Sequence, residues 1–503
     1  MERKPNIVYI LNDHQAYYGH GMLQGGPKPL RPNFEAFAAQ GMEFTNAYCV
    51  TPMCGPARRT MLTGLYPHTH GQYHNENDPP YRHEVYLDTL AEAGYENYYY
   101  GKWHAGPGCA YDHHCTGLSQ SGYGNPYNTP EYARYCKERG LPRAQHLVER
   151  ALRPDSYKDS HFFSKLQEGE LYQCEDYWCG EHAIGITTTP KETHEAFFLA
   201  NLACEKLEEL AGRKDGGPWS LRVDFWGPHQ PFFPTREFAD LYNPADIPEY
   251  PSFRSDLSDK PDNLHWEASR PLGDENRRLI HPNPLPWSEW QKMLARCYAH
   301  ITMVDAAGGL IVDKLRQLGL DEDTLIIWTT DHGDAIASQG GHFDKDSHMS
   351  QEVERVPLAL NWKGRVAPGG RDDHLVSTVD LPVTMLDAAG TAFSNRVDGR
   401  SLLDLACGRE DAEPWRDSLL CETYGHGYGT TLIGRMVVEG SIKYVCFEGD
   451  CDELYDLEQD PYEMKNLARL PEYDALKERM RALLGRKMAE SMDPVDPQRL
   501  FPR

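Results

Sequence analysis

Three apolar runs in this chain end in residues able to bind a metal or move a proton. Asn6 to Leu11 leads into Asn12-Asp13-His14-Gln15, Leu221 to Trp226 into Gly227-Pro228-His229, and Thr324 to Thr330 into Asp331-His332-Gly333. Polar residues just past the carboxyl ends of inner strands lie where open α/β sheets place their sites. Asp13 and Asp331 are hard oxygen donors, and His332 with His14 can complete a divalent-metal site. A single strand-end aspartate more often caps the helix that follows. Two of them, in a chain that also carries Cys54-Gly-Pro-Ala-Arg-Arg-Thr-Met-Leu-Thr-Gly64, shift that balance towards a metal. Taken alone, Cys54 reads as a small buried cysteine in a Gly-Pro turn that opens a helix.

The elements that must position these residues follow from pattern. The run Asn6 to Leu11 alternates too little for a half-exposed strand and reads as one covered on both faces. Strand-like runs alternate with helical ones, notably Trp287 to Gln317 with Met293, Tyr298, Ile301, Val304 and Leu310 on its apolar face. This predicts an α/β fold with a large, mostly parallel central sheet. After Asp398-Gly-Arg-Ser-Leu402 the runs shorten. Arg435 to Val445 reads as a hairpin turning at Gly440-Ser441, and Tyr473 to Met492 as a closing helix, so residues 406–503 are expected to form a small α+β unit beside a catalytic domain at 1–405.

At 503 residues with a net charge of −25, the chain is too long for one small domain and too acidic to favour nucleic acid. Any anionic substrate needs a local basic island. The first apolar run is too short for a signal peptide, no membrane-spanning run follows, and 13 scattered cysteines fit a reducing compartment, so a cytoplasmic location is expected. The stretches Gly106 to Ile184 and Phe238 to Pro286 read as long irregular loops, suited to lids or specificity walls. They and the residues just beyond carry Tyr111, Tyr123, Tyr127, Tyr172, Tyr177, Trp178, Trp266, Trp287 and Trp290 for stacking on an aryl ring or a sugar face. The spacings of Cys109, His113, His114, Cys115, Cys174, Cys179 and His182 do not match a paired zinc knuckle, and ordinary loop residues are the better reading.

The segment Cys54 to Gly64, with Cys-x-Pro-x-Arg and the Leu62-Thr63-Gly64 ending, resembles the signature of the type I sulfatases. Lys102-Trp-His104, Pro228-His229-Gln-Pro-Phe232 and Lys345, ten residues before Arg355-Val-Pro-Leu358, resemble further sulfatase segments, in sulfatase order. So do Val376 to Gly390, Asp398 to Leu402, Lys443-Tyr444 and Glu453 to Leu467, which extends the resemblance over nearly the whole chain. The resemblance implies an alkaline-phosphatase-like sandwich with a small C-terminal sheet. It also implies that Cys54 is oxidised to Cα-formylglycine by a formylglycine-generating maturation enzyme. The aldehyde hydrate carries two hydroxyls on one carbon, one to attack a sulfate monoester and one to expel the sulfate, an exit no ordinary serine or cysteine offers.

Lys102, His104 and Arg58 would then hold the nucleophile, His229 approach the leaving oxygen, and Lys345 bind the sulfate. Asp13, Asp331, His332 and residue 54 would bind one divalent ion, with His14 a further candidate ligand. Calcium is expected from the resemblance; two histidines would make the site nitrogen-rich and bring in manganese or zinc. This sequence departs from the family at His14, His332 and Ala57. A phosphonate monoester or phosphodiester hydrolase of the same superfamily is the close alternative, disfavoured by Lys102 and His104. A catalytically silent binding protein is the alternative of another class, disfavoured because every expected polar position is occupied. Small-molecule or saccharide sulfate esters are the expected substrates, and neither nucleic acid nor membrane is an expected partner.

Overall fold

The computed structural model describes residues 4–17, 28–152, 166–173, 182–213, 216–265, 274, 278–280, 282–345, 347–408, 414–426 and 432–501. Its centre is an eight-stranded sheet in which Thr324–Thr330, Asn6–Asn12, Trp219–Asp224, Glu96–Lys102 and Cys115–Gln120 run parallel side by side. Leu358–Trp362 joins antiparallel beside Thr324–Thr330, and the short strands Met42–Phe44 and Gly370–Asp372 complete that edge.

Every residue of Asn6–Asn12 is buried. Its even positions Val8 and Ile10 pack with Phe197, Phe198, Val304 and Ile311 from the helices Glu195–Ala211 and Trp287–Gln317. Its odd positions Ile7, Tyr9 and Leu11 pack with Met61, Leu62, Leu90 and Met385 from Cys54–Thr63, Tyr86–Glu92 and Asp380–Ala388. The period of two thus feeds two cores, one on each face, and makes the strand apolar throughout. The chain is α/β with a mostly parallel sheet, as the sequence predicts.

The helix Trp287–Gln317 has the predicted limits, but Leu310, expected on its apolar face, is 40 % exposed. The hairpin turns where expected: Gly434–Glu439 and Ile442–Phe447 pair antiparallel in a four-stranded sheet with Ser418–Thr423 and Glu453–Asp456. The closing helix Asp474–Ser491 packs Met480, Leu484 and Met488 on that sheet's Leu420, Val437 and Tyr444. The stretch from Gly106 to Ile184 is less irregular than expected. It carries the edge strand Cys115–Gln120, the helix Pro130–Arg139, capped by the Thr129 hydroxyl and ended by Gly140, and His146–Ala151 of a three-stranded sheet.

His68 ties the four-stranded sheet to the segment behind Cys54. Its Nδ1 meets Glu422 Oε2 at 2.8 Å and its Nε2 meets the Ser491 carbonyl at 3.1 Å. Both partners only accept, so both ring nitrogens donate and the ring is an imidazolium. Burial pulls its pKa down, but Glu422 and the carbonyl outweigh this and leave it raised. With the folded value above the ordinary one, the stabilisation is complete below about pH 6.5 and is lost as pH rises through the folded pKa. Losing one charge-assisted bond there costs on the order of 2 kcal/mol. We expect the melting temperature of wild type to fall over that alkaline range, and that of His68→Gln to start lower and stay flat. Parallel profiles would contradict the imidazolium.

Candidate active site

Register alone brings the polar residues together. Asn12 pairs with Thr330 and Leu11 with Asp224, while Gly101 also pairs with Asp224. The carboxyl ends of four adjacent strands therefore stand level, and Asp13, Asp331, Asp224 and Lys102 meet at one edge. Facing them is the amino end of Cys54–Thr63, with Cys54 the first helical residue. Pro56 fits in the first turn, where no N–H partner is required, and Gly64 ends the helix at φ 68°, a left-handed value that suits glycine. Gly55 has no room for a side chain: a Cβ would lie 2.7 Å from Gln72 Nε2. The amino end directs the positive end of the helix dipole at residue 54.

Asp13, Cys54, Asp331 and His332 are fully buried, and one donor atom from each lies within 4.8 Å of the others. Cys54 Sγ is 3.0 Å from His332 Nε2 and 4.0 Å from Asp13 Oδ1, and His332 Nε2 is 3.6 Å from Asp331 Oδ1. His332 Nδ1 donates to the Gly333 carbonyl at 2.8 Å, which turns an Nε2 lone pair into the cluster, as metal-binding histidines require. Asp331 Oδ1 is steadied by the backbone N–H groups of His14 and His332, each at 3.0 Å. The donor set, two carboxylates and a correctly oriented imidazole beside residue 54, fits a divalent ion.

Arg58 lies behind this cluster and braces it. Its Nε donates to Asp331 Oδ2 at 2.8 Å, Nη2 to Asp13 Oδ2 at 3.3 Å, and Nη1 to Asp224 Oδ2 at 3.0 Å and the Lys102 carbonyl at 3.1 Å. Lys102 Nζ bonds Asp13 Oδ2. Burial would push the Asp13 carboxyl up, but Lys102 and Arg58 hold it well below the usual range. These bonds of Arg58 and Lys102 run to carboxylates and a carbonyl around residue 54.

His229 donates from Nδ1 to the Gln230 carbonyl at 2.7 Å. Burial lowers its pKa, partly offset by a hydrogen bond to Cys54. Lys345 is buried 3.5 Å from Asp344 Oδ1; burial lowers its pKa, but Asp344, Cys54 and Asp13 outweigh this and raise it. His104 is partly buried, its pKa lowered by desolvation and by Lys102, and its ring meets the edge of Tyr123 at 5.3 Å. His14, a candidate ligand by sequence, lies outside the four-donor cluster. Its Nε2 faces Asp334 and Asp344 at 3.3 and 3.4 Å, and its ring packs on His229 at 4.7 Å.

Sequence reasoning missed Asp224, Asp334, Asp344 and Gln230. Asp224 was legible, since it closes a strand already assigned to the site; the other three sit in turns whose course only the fold reveals. Of the candidate stacking residues, Tyr123 reaches the site, with Lys102 Nζ 3.9 Å above its ring and His229 5.7 Å away. Tyr127 and Trp290 are fully buried in the cores, and Tyr177, Trp178 and Trp266 lie outside the described residues. Among the zinc-knuckle candidates, Cys109 and Cys115 are free thiols and His113 pairs with Asp88 at 2.9 Å, while Cys174 and Cys179 lie outside the described residues.

The family model described as sulfatase matches residues 5–391, and one described as the C-terminal part of N-sulphoglucosamine sulphohydrolase matches residues 339–490. The chain belongs to the sulfatase family, hydrolases that act on sulfuric ester bonds. It is similar to the ulvan-active sulfatase of Formosa agariphila, 26 % identical over 97 % of this chain and 82 % of that protein. The choline-sulfatase of Rhizobium meliloti is 28 % identical over 93 % of this chain and 83 % of its own length. The fold matches the phosphonate monoester hydrolase of Agrobacterium radiobacter with a TM-score of 0.73 at 22 % identity, covering 97 % of this chain and 96 % of that one. Among the described residues no helix is long and apolar enough to cross a membrane.

Proposed function

We propose that this chain hydrolyses sulfate monoesters of a small molecule or saccharide, using formylglycine made from Cys54 and one divalent metal. The observation that carries the reading is the placement of Cys54, at a helix amino end, against Asp13, Asp331 and His332. Those three residues and residue 54 would hold the metal, which when bound supplies a Lewis acid for a sulfuryl oxygen and helps set the nucleophile in line. Two carboxylates favour calcium; His332 keeps manganese in contention. His14 is turned to Asp334 and Asp344, which supports a role outside the ligand set.

The chain's own groups divide the remaining work. Arg58 and Lys102 keep Asp13 ionised and fixed, so the donor cluster needs little reorganisation. Lys345 supplies the positive charge for the sulfate beside Cys54, the local basic island that the acidic chain requires. With Nδ1–H tied to the Gln230 carbonyl, His229 is left with Nε2, on the side of Cys54, to approach the leaving oxygen. Negative charge grows on that oxygen as the ester bond breaks, so His229 matters most for poor leaving groups. His229→Ala is expected to slow an alkyl or sugar sulfate by about a hundredfold and a nitrophenyl sulfate by less than about tenfold. Kinetics on a leaving-group series measure this; one common factor for all substrates would contradict it.

The phosphonate monoester hydrolase neighbour favours a second reading, phosphonate or phosphodiester hydrolysis at the same residues. Lys102 and His104 argue for sulfate, and the ratio of kcat/KM on a sulfate monoester and a phosphonate monoester decides. We also propose the division into a catalytic domain, 1–405, and a C-terminal unit, 406–503, supported by the core beneath the four-stranded sheet, which draws mainly on residues after 406 and meets the larger part through Val50, Tyr66 and Val379. Cytoplasmic placement is supported by the 11 described cysteines, all free thiols.

A further inference from the structure

We propose that Glu195 is a positioning residue for His229, acting through the backbone of Gly227; the inference rests on the leaving-group role given to His229. Glu195 is fully buried at the start of the helix Glu195–Ala211, beside the turn that follows strand Trp219–Asp224. Its Oε1 accepts the Gly227 N–H at 3.0 Å, and its Oε2 the Trp226 N–H at 3.5 Å. The Gly227 carbonyl in turn accepts the Asp13 N–H at 3.0 Å. Gly227 is thus tied by one polar atom to Glu195 and by the other to a residue of the four-donor cluster, and His229 follows two residues later.

Packing closes the same turn from the other side. A Cβ on Gly227 would lie 2.7 Å from Val304 Cγ2, 3.0 Å from His300 Nε2 and 3.2 Å from Glu195 Oε1. The backbone is therefore clamped between the helix Trp287–Gln317 and the Glu195 carboxyl. A buried carboxyl costs stability unless it is well paired, and burial pushes this one up to about 8. What Glu195 returns is geometry: a fixed origin for the turn that aims His229.

The neighbouring His194 and His300 have donor atoms within 4.8 Å of Glu195, a grouping that would otherwise suggest a second cation. However, His194 Nδ1 accepts the Ala196 N–H at 3.3 Å as the cap of its helix. Neutral His194 therefore carries its proton on Nε2, which makes that atom a donor instead of a ligand.

The test is a leaving-group series on metal-loaded Glu195→Ala, Glu195→Gln, His229→Ala and the Glu195→Ala/His229→Ala double variant, with metal content measured on each. Glu195→Ala is expected to lose about tenfold to a hundredfold on an alkyl or sugar sulfate, as a misplacement near 1 Å does, and far less on a nitrophenyl sulfate. Glu195→Gln keeps an acceptor for Gly227 and is expected to stay within about threefold of wild type on both. The double variant should be no slower on the alkyl sulfate than His229→Ala alone, because both changes remove one function. If Glu195→Ala does not fold, Glu195→Asp keeps a carboxyl group, draws it back by one methylene and should show the same selectivity. A uniform loss across the series, or additive losses in the double variant, overturns the positioning role while a selective His229→Ala still stands. A non-selective His229→Ala overturns the leaving-group role and this inference with it.

Discussion

Replacing Cys54 by Ala is expected to abolish sulfate ester hydrolysis, a loss of at least about a thousandfold, with the fold intact and the metal weakened. Removing a nucleophile leaves only the binding and electrostatic remainder of catalysis. The fold should survive because alanine keeps the helix start, and Cys54 contributes a thiol to the donor cluster but belongs to none of the large apolar cores. Cys54→Ser is the sharper variant, since it keeps one hydroxyl and lacks the geminal second. If turnover depends on expelling sulfate from the hydrate, serine should give at most a single turnover. Sustained turnover by Cys54→Ser would contradict the need for two hydroxyls.

Asp331→Ala is expected to remove metal and activity together, again by about a thousandfold or more. Three consequences of the structure converge here. The cluster loses a buried carboxylate, the backbone N–H groups of His14 and His332 lose their acceptor, and Arg58 Nε is left without its partner. Buried N–H groups left without an acceptor are costly, so a fall in thermal stability should accompany the loss. Asp331→Asn keeps an oxygen for the N–H groups and should recover much of the stability but little of the metal. Elemental analysis and melting curves on the two variants separate these effects. Full activity in a thoroughly chelated sample would exclude the metal from the reaction.

Much of this arrangement was legible from the sequence, for definite reasons. Inner strands such as Asn6–Asn12 and Thr324–Thr330 are apolar on both faces and end abruptly in Asp-His, so their type and their ends could both be read. The helix Trp287–Gln317 is long enough for its periodicity to outweigh the exposed Leu310. What failed was polar or short. Cys115–Gln120 is an edge strand whose polar composition hides it in a loop-like stretch. The carboxylate partners of Arg58 were not legible, because sequence shows which residues adjoin a nucleophile but not which carboxylates lie behind it. Asp224 reaches Arg58 only through sheet register, and Glu195 reaches His229 only through the backbone of a turn. Neither link leaves a trace in spacing along the chain.

The claim on which everything else depends is that residue 54 is no longer a cysteine in the active protein. Mass spectrometry of the peptide spanning Cys54, taken from active enzyme made alongside a formylglycine-generating enzyme, tests it directly. The expected result is the mass loss of thiol-to-aldehyde conversion at Cys54, in a fraction that tracks specific activity from one preparation to the next. Active protein in which Cys54 is wholly unmodified would contradict it.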